Sequence, residues 1–181
     1  MKEFELIPFE SCELGEAIDL RVGIGWEGDE SILVVQFRVI GAIDRLKISP
    51  ISDTPQRLTR LWETTCFECF LGALGQEQYW EVNLSPSGDW NVFHLDGYRE
   101  PLREEQAIET SPFWVKQDGD RMISEMRLDI QKLGLCRDAI ELSVTSVLQE
   151  TTGDISYWAV AHAGAEPDFH LRHSFVISGL G

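Results

Sequence analysis

The sequence predicts an all-β fold, a two-sheet antiparallel β-sandwich of the jelly-roll type with little helix. Short segments rich in β-branched and aromatic residues recur along the 181 residues, and turn residues such as glycine, proline and aspartate separate them. In several segments apolar and polar residues alternate with the period of two that a strand with one buried face requires. Many short strands with frequent turns favour a β-sandwich. We expect a single domain spanning residues 1–181, because no linker or repeat interrupts this order.

The chain opens with a predicted hairpin. Residues 17–25 and 31–40 are rich in β-branched residues, and residues 26–30 make the turn between them. Residues 41–60 contain two prolines and scattered charge, which predicts a loop with a short irregular strand rather than a helix.

Three neighbouring antiparallel strands are predicted next, over residues 62–71, 77–85 and 90–95. The clearest alternation is in the second strand, where one face carries Trp80, Val82 and Leu84 and the other carries Tyr79, Glu81, Asn83 and Ser85. A turn at residues 86–89 leads from the second strand into the third. These strands contain most of the candidate site residues.

The second half of the chain follows an acidic, proline-bearing loop at residues 96–112. Five more strands are predicted there, over residues 113–117, 121–129, 140–149, 155–161 and 173–177. Residues 130–135 carry the one clear helical signal, a turn that ends at Gly134.

Charge and hydropathy exclude several classes of partner. Thirty-one acidic residues against 15 basic ones give a net charge of −16, which opposes binding to nucleic acid or to an anionic membrane. No segment is apolar for long enough to span a bilayer, and the N-terminus has no uninterrupted apolar stretch of the kind that a secretory signal contains. We therefore expect a cytoplasmic protein that binds neither nucleic acid nor membrane; the sequence does not identify a protein partner.

The four cysteines are expected to be reduced in that compartment. Cys66 and Cys69 have the spacing of a metal knuckle or a redox motif. In a strand, however, an odd separation points the two thiols to opposite faces. Buried small apolar side chains are therefore the favoured interpretation, and no metal or cofactor is predicted.

Acids and an amide recur at strand-like spacing between residues 61 and 99. Glu68, Glu81 and Asn83 fall on alternating positions of segments that otherwise read as buried strands. Adjacent antiparallel strands place side chains on one face about 5 Å apart, close enough to bind neighbouring hydroxyls. A polar network that only satisfies itself, with Arg99, Tyr98 or a backbone amide, is the competing interpretation.

The tryptophans divide into two groups. Trp80 and Trp114 alternate with residues that should be packed, so both are expected in the core. Trp62, Trp90 and Trp158 are the candidates for a pocket wall, because sugar sites use indole faces for stacking.

Three blocks of the sequence together resemble a known family. LWETTCFECFL, YWEVNLSPSGDWNVFHLDGYR and SYWAVAHAGAEPDFH are similar to DOMON-like proteins related to the family nine carbohydrate-binding modules, and the similarity covers nearly the whole chain. The resemblance implies a β-sandwich whose concave sheet face accommodates a ligand, usually a sugar and in other branches a haem. It also implies ligand-binding positions, which are Trp62, Glu68, Glu81, Asn83, Trp90, Arg99, Trp158, His162, Asp168 and His170. Calcium sites of the sugar-binding relatives are not expected, because no compact run of Asp and Asn could supply six or more oxygens.

The segment from residue 161 to 170 concentrates two of the four histidines with an acid. His162 and His170 are eight residues apart with a proline between them, which matches no dedicated zinc spacing. Hydrogen bonds that hold a loop are therefore favoured over a metal site here.

These observations predict a non-catalytic module that binds a small polar ligand on one sheet face, with a saccharide as the leading candidate. A structural or protein-interaction module without a small ligand is the main alternative. A glycoside-acting enzyme is a second, because Glu68 and Glu81 could sit at the carboxyl separation of about 5 to 5.5 Å that retaining glycosidases use. A haem-binding domain is a third, in which Met122 or Met126 would pair with His94, although a core role is favoured for the methionines.

Overall fold

Two antiparallel β-sheets pack face to face as a sandwich in the computed structural model, which describes residues 1–28, 31–111 and 113–180. The strands, in chain order, are β1 (Lys2–Glu5), β2 (Ile7–Pro8), β3 (Ile18–Glu27), β4 (Ile32–Gly41), β5 (Cys66–Ala73), β6 (Tyr79–Leu84), β7 (Trp90–Leu95), β8 (Arg103–Glu104), β9 (Phe113–Asp118), β10 (Arg121–Asp129), β11 (Ile140–Gln149) and β12 (Ile155–Ala159). The helices are α1 (Glu13–Ala17) and short 3-10 turns at Ile43–Arg45, Leu61–Glu63, Ile130–Leu133, Arg137–Ala139 and Arg172–Ser174.

The two sheets have different sizes. Five strands form one sheet in the order β1-β3-β4-β10-β9, and seven form the other in the order β2-β12-β11-β5-β6-β7-β8. The seven-stranded sheet therefore contains the strands β5, β6 and β7 side by side, and β5 and β6 carry the candidate residues Glu68, Glu81 and Asn83. The predicted two-sheet sandwich is confirmed.

The main core lies between the sheets, where the apolar side chains of alternating positions meet. Phe37 from β4 and Phe67 from β5 are both fully buried, and their ring centroids are 4.9 Å apart. In β6 the side chains of Trp80, Val82 and Leu84 belong to this core, as the alternation predicted. The face of the seven-stranded sheet that points away from this core is called the outer face below.

The N-terminal hairpin is confirmed, since β3 pairs with β4 along its whole length. Asp29 and Glu30 of the predicted turn lie outside the described residues. The turn at the end of β10 is also confirmed, because the 3-10 helix Ile130–Leu133 ends at Gly134, whose φ of 71° is left-handed.

Several local predictions were wrong. Residues 173–177 were expected to form a strand but contain the end of a 3-10 turn, because Leu171 O accepts hydrogen bonds from both the backbone N–H and the hydroxyl of Ser174. Within residues 41–60, all of which are described, the expected short strand is replaced by a 3-10 turn and two isolated bridges. The helix α1 and the strands β1 and β2 were not anticipated, and neither was the two-residue strand β8, which pairs with β7 inside the predicted loop at residues 96–112.

Trp114 was also wrongly assigned to the core. Its side chain lies on the edge strand β9 and the residue is 40% exposed. The neighbouring positions Phe113 and Val115 pack toward the core instead, and the Trp114 indole donates a hydrogen bond to Glu125 (2.9 Å). Residues of β9 therefore alternate between two faces as predicted, but Trp114 is on the exposed face and Phe113 and Val115 are on the face toward the core.

The cysteines differ widely in accessibility. Cys66 and Cys69 are buried on opposite faces of β5, Cys12 is partly buried and Cys136 is exposed. Burial raises the pKa of the Cys69 thiol to about 12 and also raises that of Cys66. A helix long and apolar enough to cross a membrane does not occur among the described residues.

We expect a thiol reagent to modify Cys136 of the native protein fastest, because the thiolate is the reactive species and only an accessible thiol meets the reagent. Cys66 and Cys69 should react only when the protein unfolds. Mass spectrometry after timed labelling, with and without denaturant, measures this order. Rapid labelling of Cys69 in the native state would contradict the buried position of β5.

Candidate functional site

The outer face of the seven-stranded sheet carries a cavity of about 440 Å³. Strands β5, β6, β11 and β12 contribute its floor, and its walls come from the turn at Leu61–Glu63, the loop after β7 and the segment after β12. The lining residues are Trp62, Glu68, Phe70, Glu81, Arg99, Leu102, Val147, Tyr157, Glu166, Pro167, Phe169 and His170. A second aromatic cluster, which includes Phe70, Tyr79, Phe93 and Phe175, packs beside it on the same face.

The strand register brings the two floor acids together. Glu68 on β5 lies opposite Asn83 on β6, and Phe70 lies opposite Glu81, so the two acids are diagonal neighbours on one face. Glu68 is 2% exposed and Glu81 is 4% exposed. Thr145 from β11 donates a hydrogen bond to Glu68 (3.0 Å), and the Asn83 amide donates one to Glu81 (2.8 Å).

Burial shifts the titration of both acids in the same direction. It raises the pKa of Glu68, and the nearby charge of Glu81 raises it further, while the hydrogen bond from Thr145 acts in the opposite sense. Burial also raises the pKa of Glu81, against the hydrogen bond from Asn83 and the charge of Arg99. The pair can therefore present both a protonated carboxyl, which donates, and a carboxylate, which accepts.

His170 contributes a neutral imidazole to the side of the cavity. Burial, followed by the charge of Arg99, lowers the pKa of His170 to about 4. The Tyr79 hydroxyl lies 2.8 Å from its Nδ1 and accepts a hydrogen bond from the backbone N–H of Arg99 (3.1 Å). The arrangement that satisfies both groups has the Tyr79 hydroxyl donating to Nδ1, which leaves the imidazole proton on Nε2. That nitrogen is 3.9 Å from Glu81 Oε2.

Asp168 joins the two loops that form one wall. Its carboxylate accepts hydrogen bonds from the Tyr98 hydroxyl (2.5 Å), from Arg99 Nη2 (3.0 Å) and from the backbone N–H of His170 (3.0 Å). Arg99 adopts a left-handed backbone conformation with φ of 61°. The ion pair with Asp168 on the opposite loop holds the Arg99 guanidinium at the cavity wall.

Arg172 fastens the segment after β12 to the sheet. Its Nη2 donates to Glu141 (2.5 Å) and to the carbonyl oxygens of Ala73 (3.1 Å) and Gln76 (3.0 Å). The guanidinium lies across Gly72 of β5, where a Cβ atom would come within 2.7 Å of Arg172 Nη1. A glycine at this position lets the arginine reach all three acceptors.

The structure brings together most of the predicted site residues. Trp62, Glu68, Glu81, Arg99 and His170 line the cavity. Asn83 and Asp168 hold lining residues by hydrogen bonds.

Three predicted site residues lie elsewhere. Trp90 (3% exposed) and Trp158 (2% exposed) belong to the core between the sheets rather than to a pocket wall. Trp90 shares its strand face with Val92, and Arg57 covers its ring at 4.5 Å. His162 Nε2 lies 2.9 Å from the carbonyl oxygen of Ile7, which fits the predicted role of holding a loop.

Several lining residues were missed by the sequence-based reasoning. Phe70 could have been found, because it alternates with Glu68 on one face of β5. Tyr157 has no comparable local signal, since its role depends on the pairing of β12 with β11. The same holds for Leu102, Val147, Glu166, Pro167 and Phe169, which reach the cavity through contacts distant in sequence.

The structure also bears on metal and haem. Among the described residues, no group of three or more His, Cys, Asp or Glu side chains is arranged to hold a metal ion. Met122 and Met126 are each 1% exposed in the core between the sheets, so the predicted core role of these methionines is confirmed.

Comparisons with known proteins show a likeness of fold. No family model matches the chain, and no curated protein sequence matches it. A protein from Bacteroides uniformis, for which carbohydrate binding has been suggested, aligns with a TM-score of 0.60 and 13% identity over 94% of this chain and 84% of its own. A carbohydrate-binding module of family nine from Caldicellulosiruptor kristjanssonii, solved with glucose, aligns with a TM-score of 0.42 and 11% identity over 84% of this chain and 70% of its own.

Proposed function

We propose that this protein is a non-catalytic module that binds a saccharide or a similar small polyhydroxylated ligand in the outer-face cavity. The observation that carries the proposal is the composition of that cavity. It combines two buried carboxyl groups, a guanidinium and a neutral imidazole with four aromatic rings.

The polar groups of the floor suit hydroxyl recognition. A hydroxyl is both a donor and an acceptor, and the Glu68–Glu81 pair offers both functions within one site. His170 adds an N–H on the side that faces Glu81. Because these side chains are held by Thr145, Asn83 and Tyr79, they are pre-organised, so a ligand need not order them.

The aromatic part of the lining suits the apolar faces of a sugar ring. Trp62, Phe70, Tyr157 and Phe169 contribute rings to the cavity. A volume of about 440 Å³ lies within the range of small-molecule sites, about 300 to 1,000 Å³. The cavity therefore suits a short ligand or the end of a chain.

The fold likeness agrees with this proposal. The protein from Bacteroides uniformis shares the architecture over most of both chains, and carbohydrate binding has been suggested for it. The resemblance of the three sequence blocks to DOMON-like proteins points to the same class of ligand.

Titration calorimetry against a panel of mono- and disaccharides tests the proposal. We expect at least one sugar to bind, and Trp62→Ala to weaken that binding at least tenfold through the loss of stacking. Trp114→Ala is the matched control, because it removes an indole from the other sheet and should leave the affinity unchanged. If no sugar binds while the protein is folded, the alternative of a structural or protein-interaction module is favoured.

Glycoside hydrolysis is a second candidate, which the paired acids of the floor favour. Retaining and inverting glycosidases both use two carboxyl groups, one of them with a raised pKa. A chromogenic glycoside assay of the parent protein tests it. Activity that is lost in both Glu68→Gln and Glu81→Gln supports the paired-acid mechanism, whereas activity that survives both substitutions rejects it.

A further inference from the structure

Within the described part of the chain, the carboxyl groups on the cavity floor have no direct hydrogen bond from a cationic side chain. Among the described residues, Thr145 is the only hydrogen-bond donor to Glu68, and it contacts Oε2 alone. Glu68 is only 2% exposed, and it lines the cavity. Its second carboxyl oxygen therefore has the cavity as its remaining environment.

The cations near the pair do not supply this partner. Arg99, the lining arginine, makes its hydrogen bonds to Asp168 and Tyr98 on the wall. His170 approaches Glu81 at 3.9 Å, but its lowered pKa keeps it neutral at physiological pH. Glu166 adds a third acid to the lining. Three lining acids thus face one arginine, whose charge Asp168 already balances.

A buried carboxylate is costly unless a cation or several hydrogen bonds accompany it. Removing one partner of a buried ion pair leaves the same cost uncompensated. In this cavity the compensating charge can come from a ligand. The aromatic rings around the acids would also attract a cation, through its interaction with their negatively charged faces.

From this geometry we infer that the cavity takes a ligand that bears an ammonium group, of which an amino sugar with a free amine is the saccharide form. Its ammonium group contacts Glu68 and Glu81, and its ring lies among Trp62, Phe70 and Tyr157. This inference rests on the proposed saccharide-binding function and narrows its ligand class.

The raised pKa values of the two acids agree with the inference. Without a ligand, the pair retains protons to a higher pH than free carboxyl groups do. Among the described residues, the charged groups around it are Arg99 and Asp168 on the wall and Glu166 at the rim, and Tyr79, Cys66 and His170 beside it are neutral. A cation that binds to the pair should therefore displace protons from it, which a neutral sugar does not do.

Calorimetry with matched sugars tests the inference. The panel consists of four sugars with the same ring. Two carry an ammonium group, at C2 in glucosamine and at C6 in 6-amino-6-deoxyglucose. The other two are neutral: glucose has hydroxyls at both positions, and N-acetylglucosamine has an amide at C2. We expect at least one of the two amines to bind at least tenfold more tightly than both neutral sugars. Titrations in two buffers of different ionisation enthalpy, at a pH low enough that both amines are already ammonium ions in solution, should show proton release for that amine and none for the neutral sugars.

Substitution of Glu68 gives an independent readout. Glu68→Gln keeps the shape and the acceptor for Thr145 but removes the charge, so it should reduce the preference for the amine to less than about threefold. Glu109→Gln is the matched control, because it removes the same charge from an exposed position outside the cavity lining and should keep the preference.

The outcomes separate this inference from the proposed function. If neutral sugars bind as tightly as both amines, the ammonium inference is overturned and saccharide binding stands. If neither amines nor neutral sugars bind, the proposed function fails and the inference fails with it. A preference that persists in Glu68→Gln would also overturn the assignment of the ammonium to this acid.

Discussion

Replacing Glu68 by glutamine is expected to stabilise the protein by an amount on the order of 2 kcal/mol at pH 8, and to change its stability little at pH 4, below the ordinary pKa of a glutamate. The folded protein raises the pKa of Glu68 above its ordinary value, so it binds more protons than the unfolded chain between the two pKa values. The contribution of this group to stability is therefore complete below the unfolded pKa and is lost as the pH rises toward the folded one. Glutamine does not titrate and can still accept the hydrogen bond from Thr145.

Urea denaturation of the parent and of Glu68→Gln at both pH values measures this difference. Glu109→Gln again serves as the control, because its carboxylate is exposed and its removal should change the free energy of unfolding by less than about 0.5 kcal/mol. A loss of stability in Glu68→Gln at both pH values would contradict the expectation. It would show that Glu68 is part of a network that stabilises the fold, as the structural alternative requires.

The largest loss of stability is expected for Phe37→Ala, at about 3 to 5 kcal/mol. Phe37 is fully buried on β4 and packs against Phe67 of the opposite sheet, so alanine leaves a cavity in the centre of the sandwich. For a chain of this size such a loss lowers the melting temperature by roughly 10 °C. Calorimetric melting or urea denaturation measures it.

Trp114→Ala is the appropriate control for Phe37→Ala. It also removes an aromatic ring from the five-stranded sheet, but Trp114 is 40% exposed on an edge strand, so the expected loss is about 1 kcal/mol or less. Equal losses in the two variants would mean that the ring at position 37 does not occupy the packed centre.

The alternation within β6 explains why the centre of the fold and the acids of the site could be predicted. Trp80 and Val82 alternate with Glu81 and Asn83, and strand geometry assigns each set to its own face whatever the neighbouring strands are. The same rule places Phe70 beside Glu68. Period-two alternation was therefore enough to predict which side chains of β5 and β6 share a face, because that depends on the single strand and not on its neighbours.

The rest of the site depends on contacts that no single segment encodes. Asp168 meets Arg99 across 69 residues of sequence, and Tyr79 meets His170 across 91. Both faces of β5 and β6 are buried, so a tryptophan in this region has two apolar environments available to it. Trp90 illustrates the result, since aromatic character suggested a pocket although its position beside Val92 places it in the core.

The contact between Gly72 and Arg172 has an evolutionary consequence. The two positions are 100 residues apart, yet the guanidinium occupies the space that a side chain at position 72 would fill. A larger residue at position 72 therefore requires the Arg172 guanidinium to move aside or a shorter side chain at position 172, and either change disturbs the attachment of this segment to Glu141. Related chains that keep this cavity should therefore vary at positions 72 and 172 together. The residue at position 72 of an alignment would then indicate whether the cavity wall is attached in the same way, although position 72 itself does not line the cavity.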